Sequence, residues 1–183
     1  YGIHRRELAR LVRLGVLEVV TPRVLRARGA PQTDEQGLMI RVLDGGPAAA
    51  ASRRAAGWLW GLPGFVPGVH DVVRSRDLSS RSSAGADHWP RLLPAHHLTV
   101  VRGIAVTTLA RTIFDLAATP QYAPRLGRII DTVHGESPSI LGALHAMLPE
   151  LAERGRGLVV LSVMCALIPV GVLVIAPLPP DAG

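Results

Sequence analysis

The chain has 183 residues, 48% of them hydrophobic and only 4% aromatic, which suits one domain plus a small appendage around an aliphatic core. Its net charge of +6 rests entirely on arginine, because all 20 basic residues are Arg and none is Lys. A P-loop and a nuclease core of two acids and a lysine both need a lysine, and a single cysteine, Cys165, excludes a disulfide framework and a cysteine-based zinc site.

The excess charge is concentrated at the start. Residues 1–28 carry seven Arg against Glu7 and Glu18, where a nucleic-acid-binding helix or arm would place them. The opening is polar and basic and not a secretory signal, so a reducing cytoplasm is expected. Tyr1 is not Met, and a trimmed or incomplete N-terminus is expected. His4 to Leu14 reads as an amphipathic helix: Leu8, Leu11 and Val12 share an arc of roughly 100°, and Arg6, Arg10 and Arg13 a separate arc of about 60°. Gly15 should end it. Val16–Val20 and Arg23–Ala27 read as short strands about Thr21-Pro22. Helix, strand, turn and strand make the back half of a winged helix-turn-helix, although a helix before a hairpin occurs in many folds.

Thr33-Asp34-Glu35-Gln36 has the form of a capping box and predicts a helix to about Leu43. Ala48–Leu62 reads as a second helix, and Val69–Ser75 and Leu98–Val106 as strands separated by a loose loop at Ser79–Ala86. Thr107–Ala118 is a strong helical run, with Arg111 and Asp115 expected as an exposed i,i+4 pair. Arg125–His134 and Pro138–Arg154 follow as helices, the latter opened by Ser137-Pro138 and kinked at Pro149. Leu158–Ala176 is nineteen residues without a charge. It reaches membrane-spanning length, but Pro169 and the lack of interfacial Trp or Tyr argue against a span. The tail is expected to pack weakly on the domain. The pattern predicts an α+β protein: a partial winged helix-turn-helix in 1–28, a small sheet flanked by helices in 29–157, and an apolar tail in 158–183.

Catalytic chemistry is not expected. His96 and His97 are neighbours in a loop or strand edge, where adjacent residues point to different faces, so no metal is expected there. No HExxH occurs. His70-Asp71 and Asp87-His88 fit turn chemistry as well as pairing. Ser79, Ser80, Ser82 and Ser83 lack the strand–turn–helix elbow of a serine nucleophile. Trp58 and Trp60 fall about 160° apart on a helix, so either both are core or one faces a partner or the wing. Phe65 should join the same cluster. The chain is therefore read as a non-enzyme without a cofactor.

Three stretches together resemble a known family. They are Gly2-Ile3-His4-Arg5-Arg6-Glu7-Leu8 with Arg13-Leu14-Gly15-Val16-Leu17-Glu18, then Ser52-Arg53-Arg54-Ala55-Ala56-Gly57-Trp58-Leu59-Trp60-Gly61-Leu62, and Leu98 to Ala117 with its Thr107-Thr108, Ala110-Arg111-Thr112 and Asp115-Leu116-Ala117. In that order they look like the AbiEi-like antitoxin of type IV toxin–antitoxin (abortive infection) systems, in its actinobacterial form. The resemblance implies a winged helix that binds the operator of its own operon, then an α+β domain that opposes a nucleotidyltransferase-like toxin. It makes the chain a transcriptional regulator, with Arg5, Arg6, Arg10, Arg13, Arg23 and Arg26 as candidate DNA contacts. The pattern departs in four places. The first helices of the winged motif are missing, His4 stands at the usual serine N-cap, Pro22-Arg23 stands at the wing turn, and 158–183 match no part of it. A frameshifted or truncated product is one expectation from that switch. A remnant of an endonuclease-domain protein that has lost its catalytic half is the alternative reading.

Overall fold

The computed structural model describes residues 4–75, 90, 92–152 and 157–170, and within them the chain is α+β. The expected loop at Ser79–Ala86, the Asp87-His88 pair and everything past residue 170 lie outside the described residues. Helix α1 (Arg5–Arg13) leads into strands β1 (Leu17–Thr21) and β2 (Val24–Ala27), which pair antiparallel with Val19 opposite Leu25. Gly15, at φ 72°, reverses the chain after α1, and the Val16 N–H closes back onto the Leu11 carbonyl. At the hairpin tip the Thr21 hydroxyl oxygen accepts from the Arg23 and Val24 N–H groups. The predicted order of helix and hairpin is present. Among the described residues no other helix packs substantially on α1, and the helix and hairpin are the parts of the expected motif that are seen.

The hairpin lies along helix α2 (Asp34–Gly45) through polar contacts at both ends of that helix. Thr21 donates its hydroxyl to Asp44 at 2.7 Å, and Arg26 donates to Gln36 at 3.2 Å. Thr33 caps α2 by accepting the Gln36 N–H at 3.1 Å, while the Gln36 side chain turns to Arg26 instead of completing the box.

The helix expected over Ala48–Leu62 is corrected to strand β3 (Ala49–Ala51) followed by helix α3 (Arg53–Leu59). Alanine favours a helix in isolation, but here tertiary position wins. With strands β4 (Val72–Arg74), β5 (Leu98–Val101) and β6 (Ile104–Thr107), β3 forms a sheet of order β4-β3-β6-β5. Only β3 and β6 run parallel. The single strand expected over Leu98–Val106 is a hairpin, because Arg102 (φ 50°) and Gly103 (φ 77°) supply the two left-handed residues of a tight turn. Asp71, just before β4, takes over the capping of α3. It accepts from the Arg54 backbone N–H and holds the Arg54 guanidinium in two hydrogen bonds of 2.8 Å. That pairing keeps Arg54 charged well above its ordinary range.

Helices α4 (Leu109–Ala117), α5 (Leu126–Glu136), α6 (Ile140–Ala152) and α7 (Gly157–Leu167) enclose the larger core. Ile113, Phe114 and Leu116 of α4 meet Ile129, Ile130, Leu144, Leu151, Val163 and Leu167 there. Helix α6 begins two residues after Pro138 and continues through Pro149. Trp60 packs between the two cores and donates its indole N–H to the Thr107 carbonyl at 2.9 Å. Trp58 packs on the sheet side and lines a cleft with Arg26, Gln36 and His70. Phe65 stacks obliquely on Tyr122 with ring centres 5.3 Å apart.

The weakly packed tail is corrected for its described part. Val163 and Leu167 are fully buried and α7 packs on α4, α5 and α6, so a boundary at 157 falls at the start of a core helix. One face of this uncharged helix enters the core, while Leu161 and Cys165 on the other stay exposed. None of the described helices is long and apolar enough to cross a membrane. Leu167→Ala is expected to cost about 2–5 kcal/mol in urea unfolding. A truncation lacking residues 158–183 is expected to lose the cooperative melting of the remainder. A truncated chain that still melts sharply would show that α7 is dispensable.

Candidate nucleic-acid interface and a buried charge relay

The six arginines singled out by sequence fall into three groups. Arg6, Arg10 and Arg13 are exposed on one arc of α1. Arg10 reaches Glu7 at 3.0 Å, but both side chains are about half in water, so the pair leaves Arg10 available. Arg5 and Arg23 stand instead at the rim of a groove between α1 and the hairpin, about 450 Å³ in volume, floored by Leu8, Val12 and Leu25 with Val19. Arg26 turns inward. Its guanidinium holds Glu18 at 2.7 Å and Gln36 at 3.2 Å, an internal strap between the hairpin and α2. Arg28, not singled out by sequence, is exposed beside Gly15. The dense arginine content of residues 1–28 was the signal that could have included it.

A second cluster lies in the interior, and sequence reasoning missed it. Arg111 and Asp115, expected as an exposed pair, are 0% and 2% exposed, with the Arg111 Nε donating to Asp115 at 3.0 Å. Every residue from Ala110 to Ala117 is buried, so α4 has no solvent face on which a surface pair could sit. Apolar residues on all sides of Arg111 and Asp115 carried that information. The same guanidinium donates to the Leu92 carbonyl at 3.0 Å and lies 2.8 Å from Nδ1 of His97, which is itself fully buried.

The Arg111 contact fixes the tautomer of His97. A guanidinium only donates, so Nδ1 must accept and the ring hydrogen sits on Nε2. There it points to Oε2 of Glu150 in α6, 3.3 Å away. His96 approaches the same oxygen at 3.2 Å, its ring packed edge-on against His97. Burial, reinforced by the Arg111 charge, lowers the His97 pKa and keeps the ring neutral. Partial burial pushes the Glu150 carboxyl up, but the hydrogen bonds and electrostatic attraction from His96 and His97 outweigh it and hold it below the usual carboxylate range.

His96, His97 and Glu150 offer three ligand atoms within 4.8 Å of one another. The expectation that the two rings diverge placed them in a loop or strand edge. Residues 95–97 form a 3-10 turn, which brings both onto Glu150. Two histidines and a carboxylate are a zinc-type donor set. A metal-bound histidine, however, gives its other N–H to an acceptor. His97 faces a donor with that nitrogen, so a metal on Nε2 would require a ring bare of both hydrogens beside a guanidinium. The donor set does not fit a divalent ion.

No protein-family model and no curated protein matches this sequence.

Two outcomes test the relay. Arg111→Ala, which leaves Asp115 buried without its guanidinium, is expected to cost about 3–5 kcal/mol in urea unfolding. A cost below 1 kcal/mol would mean that the pair is not buried in solution. For pH, the unfolded His97 binds a proton near its ordinary 6.5, whereas the folded ring does so only at lower pH. Stability is therefore fully present above about 6.5 and falls as pH drops below it. Glu150 adds a further loss only as pH falls below its ordinary 4.5. Unfolding free energies from pH 7.5 to 5 should decline for the native chain and stay flatter for His97→Gln. Equal slopes would remove His97 from this account.

Proposed function

We propose that this protein is a non-catalytic, cytoplasmic DNA-binding regulator of the antitoxin-like kind. The observation that carries the reading is the exposed arc of Arg6, Arg10 and Arg13 on α1, within the segment that holds most of the excess positive charge. An α-helix about 10–12 Å across fits the DNA major groove, and arginines at i, i+4 and i+7 follow one line of phosphates along its length. The helix is only nine residues long, so it makes few base contacts, and affinity rests mainly on phosphate charge. The resemblance supplies the expected target, the operator of the protein's own operon, and a nucleotidyltransferase-like toxin as the activity it would oppose. Arg28 is the addition that the geometry suggests for the hairpin end of the surface.

Binding of labelled duplex DNA, followed by anisotropy across a salt series, tests the reading. Replacing Arg6, Arg10 and Arg13 together with Ala should weaken binding and lower the salt slope by up to about three, at roughly 0.9 per lost phosphate contact. An unchanged slope would remove α1 as the DNA contact.

A further inference from the structure

We propose that the 3-10 turn Ala95–His97 is an acid-released clasp: one proton on His97 lifts the turn off α4 and α6 while the helical core stays folded. Nδ1 of His97 lies 2.8 Å from the Arg111 guanidinium, which only donates, so the nitrogen must accept. A protonated imidazole carries hydrogen on both nitrogens and has no acceptor left. Turning the ring over does not help, because either nitrogen then presents an N–H to the guanidinium. Two cations would also stand in contact where neither side chain reaches water. Among the described residues, the charged and titratable groups facing the ring are Arg111 with Asp115 beside it on α4, Glu150 on α6, and His96 within the turn. Glu150 attracts the proton, but His96 shares the same carboxylate oxygen and Arg111 engages Asp115. A protonated His97 is therefore expelled from its site.

The geometry confines the opening to the turn. Of residues 94–98 only His97 is buried, and Ala95 and His96 are exposed. Neither apolar core draws a residue from this stretch, so lifting it uncovers little apolar surface. Openings of that kind need far less free energy than global unfolding. The movement breaks the contacts of His97 with Arg111 and Glu150, and it releases the Thr108 N–H from the His97 carbonyl. Arg111 keeps Asp115 on its own helix, so its charge stays paired while the turn is open. Once in water the ring binds a proton near its ordinary 6.5, so acid favours the open form.

Native-state hydrogen exchange of the full chain, followed in low urea at several pH values, tests the clasp. The Thr108 amide should exchange through an opening nearly insensitive to urea, because the turn exposes little surface. The amides of Phe114 and Ile130, buried in α4 and α5, should instead follow global unfolding. From pH 7.5 to 5.5 the Thr108 protection factor should fall about tenfold as the opened ring takes up its proton. The side chain of His97→Gln can accept from Arg111 and donate to Glu150 without titrating, so this variant should abolish the fall. His96→Gln should preserve it. A Thr108 urea slope equal to that of Phe114 and Ile130 would assign proton uptake to global unfolding alone and overturn the proposal. Protection independent of pH, or a fall erased by His96→Gln, would do the same. The urea and pH slopes are read on the native chain, so they decide the outcome even where His97→Gln fails to fold.

Discussion

Arg111 places a permanent positive charge where no water reaches, and the larger half of the molecule is arranged to satisfy it. The cost of removing such a charge from water is several kcal/mol, so its partners must be held in place. They come from separate parts of the chain. Asp115 lies one turn along α4, the Leu92 carbonyl precedes the 3-10 turn, and the His97 ring ends that turn. The His97 carbonyl in turn accepts the N–H of Thr108, the N-cap of α4, at 2.8 Å. Because β5 begins at Leu98, fixing His97 also fixes the edge of the sheet against α4. Glu150 extends the same constraint to α6. A purely apolar contact would allow α4 to slide by a fraction of a turn; the directed hydrogen bonds do not.

The α1–hairpin unit is held differently. Its connections to α2 include the polar contacts of Thr21, Arg23 and Arg26, and its apolar residues remain largely half-exposed. This contrast separates two uses of arginine in one chain. Buried Arg111 ties α4 to its neighbours through directed hydrogen bonds, whereas the arginines of α1 remain exposed to solvent. Arg26 stands between these cases, ordering the hairpin at the expense of its own availability.

Much of the architecture was legible where local chemistry and final position agree. Gly15 ends α1, Thr33 caps α2, and Thr21-Pro22 lies at the hairpin tip for reasons visible within a few residues. The Ala-rich β3 was not legible, because its strand conformation depends on neighbours more than twenty residues away. Arg102-Gly103 was obscured by apolar residues on both sides that read as one continuous strand. The i,i+4 spacing of Arg111 and Asp115 is the same on a wet surface as in a core. Only the apolar character of the rest of α4 distinguishes the cases. For the candidate site, the basic arc on α1 followed directly from helical periodicity. The inward turn of Arg26 depended on Glu18 across the hairpin, and the convergence of His96 and His97 on the 3-10 geometry and on a glutamate more than fifty residues later.

The three alanines of β3 have an evolutionary consequence. Ala49 and Ala51 face the core shared with α2 and α3, and Ala50 is equally buried. Larger side chains would force the layers apart in a tightly packed interior. Glycine would fit, but it weakens a strand by restoring backbone freedom to the unfolded chain. Serine would bury a hydroxyl that needs a partner. Each alanine thus has few neutral neighbours in sequence space, and drift at the centre of this sheet should be slow even while the arginine-bearing surface changes around it.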